Sequence, residues 1–287
     1  MQRIVYFIFR ILMIILENLP VRFAYDLGDF LGCSIYYLML KRRRTVMKNL
    51  KIAYPDGLPQ DEKVMTKKIF CNFLYMFIEL GLLQRLFHKH NWKERFVDSD
   101  HTLEMFSSLK HRPAVVCSLH LGNFYLAGYI APKIGAPLRI VMREIVNPYI
   151  NQYIVKLLDH GGNDLVMKQG AYFSFQKGIA QGWSPTILVD QHGGRKSLHV
   201  DFMGEKAFTP ASPASLLRKF NVPLHVGGVV RVGLFKFRLL YNEIPMPAWT
   251  EDKQRDLELA TTILNKAYED MIRRYPEQWF WMHRRWR

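Results

Sequence analysis

The chain has 287 residues, room for one large domain or two small ones around a sizeable core. Lys and Arg number 40 against 25 Asp and Glu, a net charge of +15, so the expected partner is anionic: a phospholipid surface, nucleic acid, or a phosphorylated or acidic protein. The three cysteines, Cys33, Cys71 and Cys117, are scattered and odd in number, which excludes a disulfide framework and a zinc-ligand spacing and points to a reducing compartment.

The first apolar run, residues 4–16 (IVYFIFRILMIIL), is broken by Arg10, and the second, residues 27–40 (LGDFLGCSIYYLML), contains Asp29. Each is shorter than the roughly 20 apolar residues that cross a bilayer, and no small-residue cleavage site follows the first. Both read as helices lying in, or shallowly inserted into, a membrane interface, with KRRR (41–44) meeting anionic headgroups. An aromatic content of 14% suits that interface. Residues 1–44 are thus expected as membrane-associated helices and 45–287 as a single α/β domain. YPDGLPQDE (54–62) reads as a loop whose Asp61 caps the next helix. Residues 69–87 are apolar at most positions, as in a helix packed on several sides, or packed on one and lipid-facing on another.

From Pro113 onward short β-rich runs alternate with helical stretches. Strands are expected at 113–119, 137–143, 164–168, 184–191, 223–232 and 236–244, the last two as a hairpin. Helices are expected from residue 120, over 147–158, from 171, over 209–221 with Thr209 as N-cap, and over 252–275. The alternation predicts an α/β fold, a central and largely parallel sheet flanked by helices.

Ligands of such a sheet bind beyond the carboxyl ends of its strands, where helices begin. His120 stands at that point of the first strand. With an ordinary pKa near 6.5, an imidazole there can act as general base on an alcohol; the alternative is a capping or core histidine. Cys117 shares the strand with Val115 and Leu119 and is expected in the core. The chain contains no G-x-S-x-G, G-x-x-x-x-G-K-[ST], G-x-G-x-x-G or H-E-x-x-H. No metal and no cofactor is expected. The positive charge is scattered and no nucleic-acid module is present, so nucleic acid is not expected as a partner.

HLGNFYLAG (120–128), VMREIVNP (141–148), VDQHGGRKSLHVDFMGEKAFTPASPA (189–214) and PEQWFWMHRRW (276–286) together resemble the bacterial lipid A late acyltransferases, the lauroyl- and myristoyltransferase group of the lysophospholipid acyltransferase superfamily. The resemblance covers essentially the whole chain. It implies transfer of a fatty acyl group from an acyl carrier protein or coenzyme A thioester to a hydroxyl of a membrane glycolipid, a lipid A precursor or a relative of it. It also implies a place at the cytoplasmic face of the inner membrane.

The family pattern is His, four residues, then Asp or Glu, and here the acid's position holds Tyr125. An acid would fix the imidazole tautomer and stabilise the imidazolium; a phenol is uncharged at neutral pH. Two readings follow. Another carboxylate orients His120, with Glu205 of the F-x-G-E-x-A segment as first candidate and Asp190, at the end of its strand and within reach of the substrate, as second. Alternatively the chain is a catalytically impaired, lipid-binding relative. His120, Glu205 and Tyr125 are then the catalytic candidates. Arg143, matching the arginine before N-P, is expected to bind a phosphate of acceptor or donor. Asn123 is expected to hold the substrate carbonyl, with the backbone N–H groups near Gly122 and Asn123 as an oxyanion pocket.

Overall fold

In the computed structural model, which describes residues 1–87, 92–97, 99–159 and 162–287, four helices precede the sheet: α1 (Gln2–Asn18), α2 (Val21–Leu38), α3 (Leu40–Ala53) and α4 (Glu62–Leu86). Pro20 separates α1 from α2, because a proline lacks the N–H that would continue the ladder. Asp61 caps α4 by accepting from the Lys63 and Val64 N–H groups. Helices α2 and α4 approach closely at Gly32, where an added Cβ would lie 2.6 Å from the Cys71 Cα. Among the described helices, α4 alone is long and apolar enough to cross a membrane, and over half of its apolar stretch is buried against the rest of the protein.

The remaining elements are α5 (Asp100–Ser107), β1 (Val115–Gly122), α6 (Tyr125–Ile130), β2 (Leu138–Met142), α7 (Pro148–Asp159), β3 (Asp164–Met167), α8 (Ala171–Ala180), β4 (Ser184–Leu188), β5 (Leu198–Phe202), β6 (Glu205–Thr209), α9 (Ser212–Phe220), β7 (Leu224–Gly233), β8 (Lys236–Ile244) and α10 (Lys253–Arg274). Six strands form one sheet in the order β3-β2-β4-β1-β7-β8, parallel except for the β7–β8 hairpin at one edge. This is the α/β class and largely parallel sheet that the alternating pattern predicts.

Period-2 alternation divides β1 between two cores. Val115, Cys117 and Leu119 pack with α8, α9, α10 and the first half of α4. Val116 packs on the other face with the second half of α4, α5 and α6, where Ile140, Leu239 and Tyr241 continue the surface. Cys117 is fully buried and burial raises its thiol pKa, so it is a core residue.

Two boundaries differ from expectation. The first strand does not yield to a helix at His120; β1 continues to Gly122 and α6 begins only at Tyr125. The extension is held by two backbone contacts from the C-terminal segment: Phe280 N–H donates to the His120 carbonyl, and Leu121 bridges Trp279. Thr209 lies in β6, not at a helix cap; α9 starts at Ser212 after Ala211. The unforeseen element is the β5–β6 hairpin, whose turn places both Met203 and Gly204 at positive φ.

Candidate active site

His120 reaches the carboxyl edge of the sheet where β1 loses its regular register with β7. The break is centred on Gly122, at φ 58°, where a Cβ would lie 2.1 Å from the Val229 carbonyl oxygen; only glycine fits. The next N–H, of Asn123, donates to that same carbonyl at 2.9 Å.

The imidazole is gripped from one side. His120 Nδ1 lies 2.8 Å from Asp190 Oδ1, and the His120 backbone N–H donates to Asp190 Oδ2 at 2.9 Å. Trp279 Nε1 donates to Oδ2 as well, at 2.8 Å. Asp190 is fully buried. Burial by itself would raise its pKa, but the His120 ring and the three hydrogen bonds outweigh it and hold the carboxyl below the ordinary range. A charged carboxylate on Nδ1 keeps the proton there and leaves Nε2 as the basic nitrogen. The His120 side chain is 22% exposed, so a reacting group has access to it.

That access is a cavity of about 760 Å³ along the sheet face that carries Val116, Ser118 and His120. Its walls include Ile140 and Leu188 from the sheet and Ile154 and Leu158 from α7, and it extends to Phe106 and Tyr241. Lys168, His192, His283 and Arg287 also line it, as does Arg143 one residue beyond β2. The arrangement places an acid–base group and cations on the boundary of a largely apolar cavity. It suits a ligand with a long hydrocarbon part and an anionic or polar head.

The expected site residues divide. His120, Tyr125, Arg143 and Asp190 surround or support the cavity. Glu205 does not: it is exposed at the start of β6 and borders a separate cleft with Arg44, Lys48 and Lys51. The tight turn at Met203 and Gly204 sends it to the outside of the hairpin, so Asp190 holds Nδ1 in its stead. Tyr125 packs on Phe124, ring centroids 4.5 Å apart, and burial raises its phenol pKa. It forms part of the cavity wall, while the contact with Nδ1 belongs to Asp190. Asp190, being fully buried, supports the imidazole from behind instead of meeting substrate.

Asn123 is likewise withdrawn from the substrate. It is fully buried, and its Nδ2 donates to Glu79 Oε2 at 2.9 Å. Glu79, buried in α4, also accepts from the Arg231 guanidinium and the Tyr25 hydroxyl. Because the Asn123 N–H is spent on Val229, it is not free to serve an oxyanion pocket.

Two residues of the site, Trp279 and Phe280, were not singled out from the sequence, and His283 was read only as part of the basic stretch 283–287, a contact for an acidic carrier protein or for lipid phosphates. All three lie in PEQWFWMHRRW, a block visible as part of the resemblance. Their roles come from a chain reversal after α10 that lays this segment against β1.

Comparison with known proteins shows the family. A family model described as bacterial lipid A biosynthesis acyltransferase matches residues 1–287. A lipid A biosynthesis palmitoleoyltransferase of Escherichia coli (strain K12) is 24% identical, over 93% of this chain and 87% of that protein. A lipid A biosynthesis acyltransferase of Shigella flexneri is similar to the same extent.

Proposed function

The chain belongs to the bacterial lipid A biosynthesis acyltransferase family, and from that premise we propose that it moves a fatty acyl group from a carrier-protein or coenzyme A thioester to a hydroxyl of a lipid A precursor or related glycolipid, with His120 as general base. The observation that carries this reading is the His120–Asp190 pair on the boundary of a largely apolar cavity.

The acyl chain lies along the sheet face against α7, and the thioester carbonyl meets His120. Nε2 takes the proton from the acceptor hydroxyl as its oxygen attacks the carbonyl carbon. Asp190 keeps Nδ1 protonated and stabilises the imidazolium. The C–S bond then breaks, and the imidazolium returns its proton to the departing thiolate. Arg143, exposed at the cavity rim, holds a phosphate of donor or acceptor. Tyr125 does not leave His120 without an acid, since Asp190 supplies the charge that the phenol lacks; this favours an active enzyme over an impaired relative.

Helices α1 and α2 seat the protein on the inner membrane at its cytoplasmic face. On α1, Ile4, Phe7, Ile8 and Ile11 are exposed, and on α2, Phe23, Phe30 and Leu38. Such a surface is stable against lipid, not water. The basic residues 41–44 follow directly and meet anionic headgroups.

The test is acyl transfer by membranes carrying the protein, with labelled carrier-protein and coenzyme A thioesters and a panel of lipid acceptors. His120→Ala should lower the rate by about 10²–10⁴-fold. Asp190→Asn, which disturbs the tautomer, should fall by a comparable factor. Glu205→Gln should stay within about twofold of wild type, as substitutions at exposed sites away from the chemistry usually do. Full activity of His120→Ala, or loss in Glu205→Gln, refutes the assignment.

A further inference from the structure

The C-terminal segment 276–287 has no role in the scheme above, yet it is tied closely to the reacting centre. It crosses the end of β1, with Phe280 on the His120 carbonyl and Trp279 on Asp190. Its other side is held by α3: Asn49 Nδ2 donates to the carbonyls of Trp281, at 2.8 Å, and His283, at 2.7 Å. Two residues further on, the fully buried Arg285 donates to the Phe208 carbonyl and to Thr209 Oγ1, each at 2.6 Å. His283 is thereby fixed between anchored neighbours, and it lines the same cavity as His120.

The tautomer of His283 follows from its surroundings. Nδ1 is buried and, among the described residues, has no hydrogen-bond partner. A proton on Nδ1 would bury an unpaired donor, so the neutral ring carries its proton on Nε2. Burial is the main cause that lowers its pKa. Asp190 opposes it, but Arg287, His120 and Arg285 add to it, and the result is about 4, so the ring is neutral at neutral pH. A neutral imidazole that donates one hydrogen bond is a fitting electrophile for a carbonyl oxygen. A donor is needed, because the N–H of Asn123, the sequence-based choice, is occupied by Val229.

Resting on the acyl-transfer reading, we infer that His283 is a second catalytic imidazole, donating Nε2–H to the thioester oxygen as that oxygen becomes negative. No atom passes to or from it. The acceptor oxygen–carbon bond forms, the carbon–sulfur bond breaks, and the acceptor proton travels through His120 to the thiolate. The charge that appears on the carbonyl oxygen and disappears again does so against the His283 donor.

The experiment follows thiol release from C16 carrier-protein and coenzyme A thioesters by the full-length protein in lipid vesicles, with and without a lipid A precursor. Wild type, His283→Leu and His283→Gln are compared, each with its thermal midpoint. Loss of one such donor lowers kcat by about 10²–10³-fold. His283→Leu should therefore lose about 100-fold in kcat with KM little changed, and His283→Gln, whose amide can donate in place of Nε2, should regain at least about tenfold. A folded Leu variant within about threefold of wild type overturns the inference. So does a folded Gln variant that loses about 100-fold, which also decides the matter if Leu fails to fold. Thiol release by wild type without acylation of any lipid would sink the acceptor reading and leave this inference standing on the thioester step. No thiol release by wild type would sink both.

Discussion

A carboxylate removed from water keeps its charge only where donors replace the lost solvent. Asp190 has three, and its pKa is lowered despite complete burial. His283 and His225 show the opposite case: burial, their main perturbation, pushes both below the ordinary histidine value. These shifts set the acid side of stability. The unfolded chain binds protons at its histidines near pH 6.5, whereas folded His283 resists protonation until about pH 4. The histidine contribution is complete above about pH 6.5 and is lost progressively as pH falls from there toward 4. Asp190 acts lower down: its contribution is present above the unfolded carboxyl value of about 3.9 and is lost as pH falls through its depressed folded value. Thermal midpoints taken across this range should decline in both stretches. The His283→Gln variant should decline less between pH 6.5 and 4, and an unchanged decline would count against the buried neutral ring.

At the scale of elements, the site depends on a junction between α4, β7 and the turn after β1. Glu79 of α4 is completely buried and meets Arg231 of β7, Tyr25 of α2 and Asn123 at once. Removing one partner of a buried pair leaves the other charge uncompensated, at a cost of about 3–5 kcal/mol. Glu79→Ala should lose about that much in denaturant titration. Arg231 is left as a buried cation, and the turn carrying Asn123 loses its anchor behind the His120 strand. A loss under about 1 kcal/mol would mean that the network contributes little to holding the turn.

For the whole molecule, the outward faces of α1 and α2 and the cavity wall are mechanically linked. Helix α1 packs on α7 through Phe9 and Tyr153, ring centroids 5.3 Å apart, and Asn147 Nδ2 donates to the Gln2 carbonyl at 2.8 Å. The same α7 lines the cavity with Ile154 and Leu158. In the proposed seating on a bilayer, an entering acyl chain would thus pass beside elements in contact with the membrane-facing helix. Phe7 and Ile8 point away from the protein, so the double substitution Phe7→Glu and Ile8→Glu should leave the thermal midpoint nearly unchanged. In flotation with anionic vesicles it should shift the protein from the lipid to the soluble fraction. Undiminished flotation would place the membrane contact elsewhere.

Alternation of strand and helix from residue 113, the apolar runs before it, and the place of His120 toward the carboxyl edge of the sheet were all legible from residue order, because period and composition are local properties of a chain. So was the absence of an acid at residue 125, which left open whether another carboxylate orients His120 or the chemistry is impaired. Which carboxylate was not: Asp190 lies 70 residues away, and the choice between it and Glu205 turned on adjacent parallel strands and a two-residue reversal at Met203 and Gly204. The withdrawal of Asn123 into the Glu79 junction and the arrival of His283 beside His120 were decided in the same way. Burial, charge pairing and tautomer depend on what surrounds a side chain in space, and those surroundings exist only once distant segments have packed.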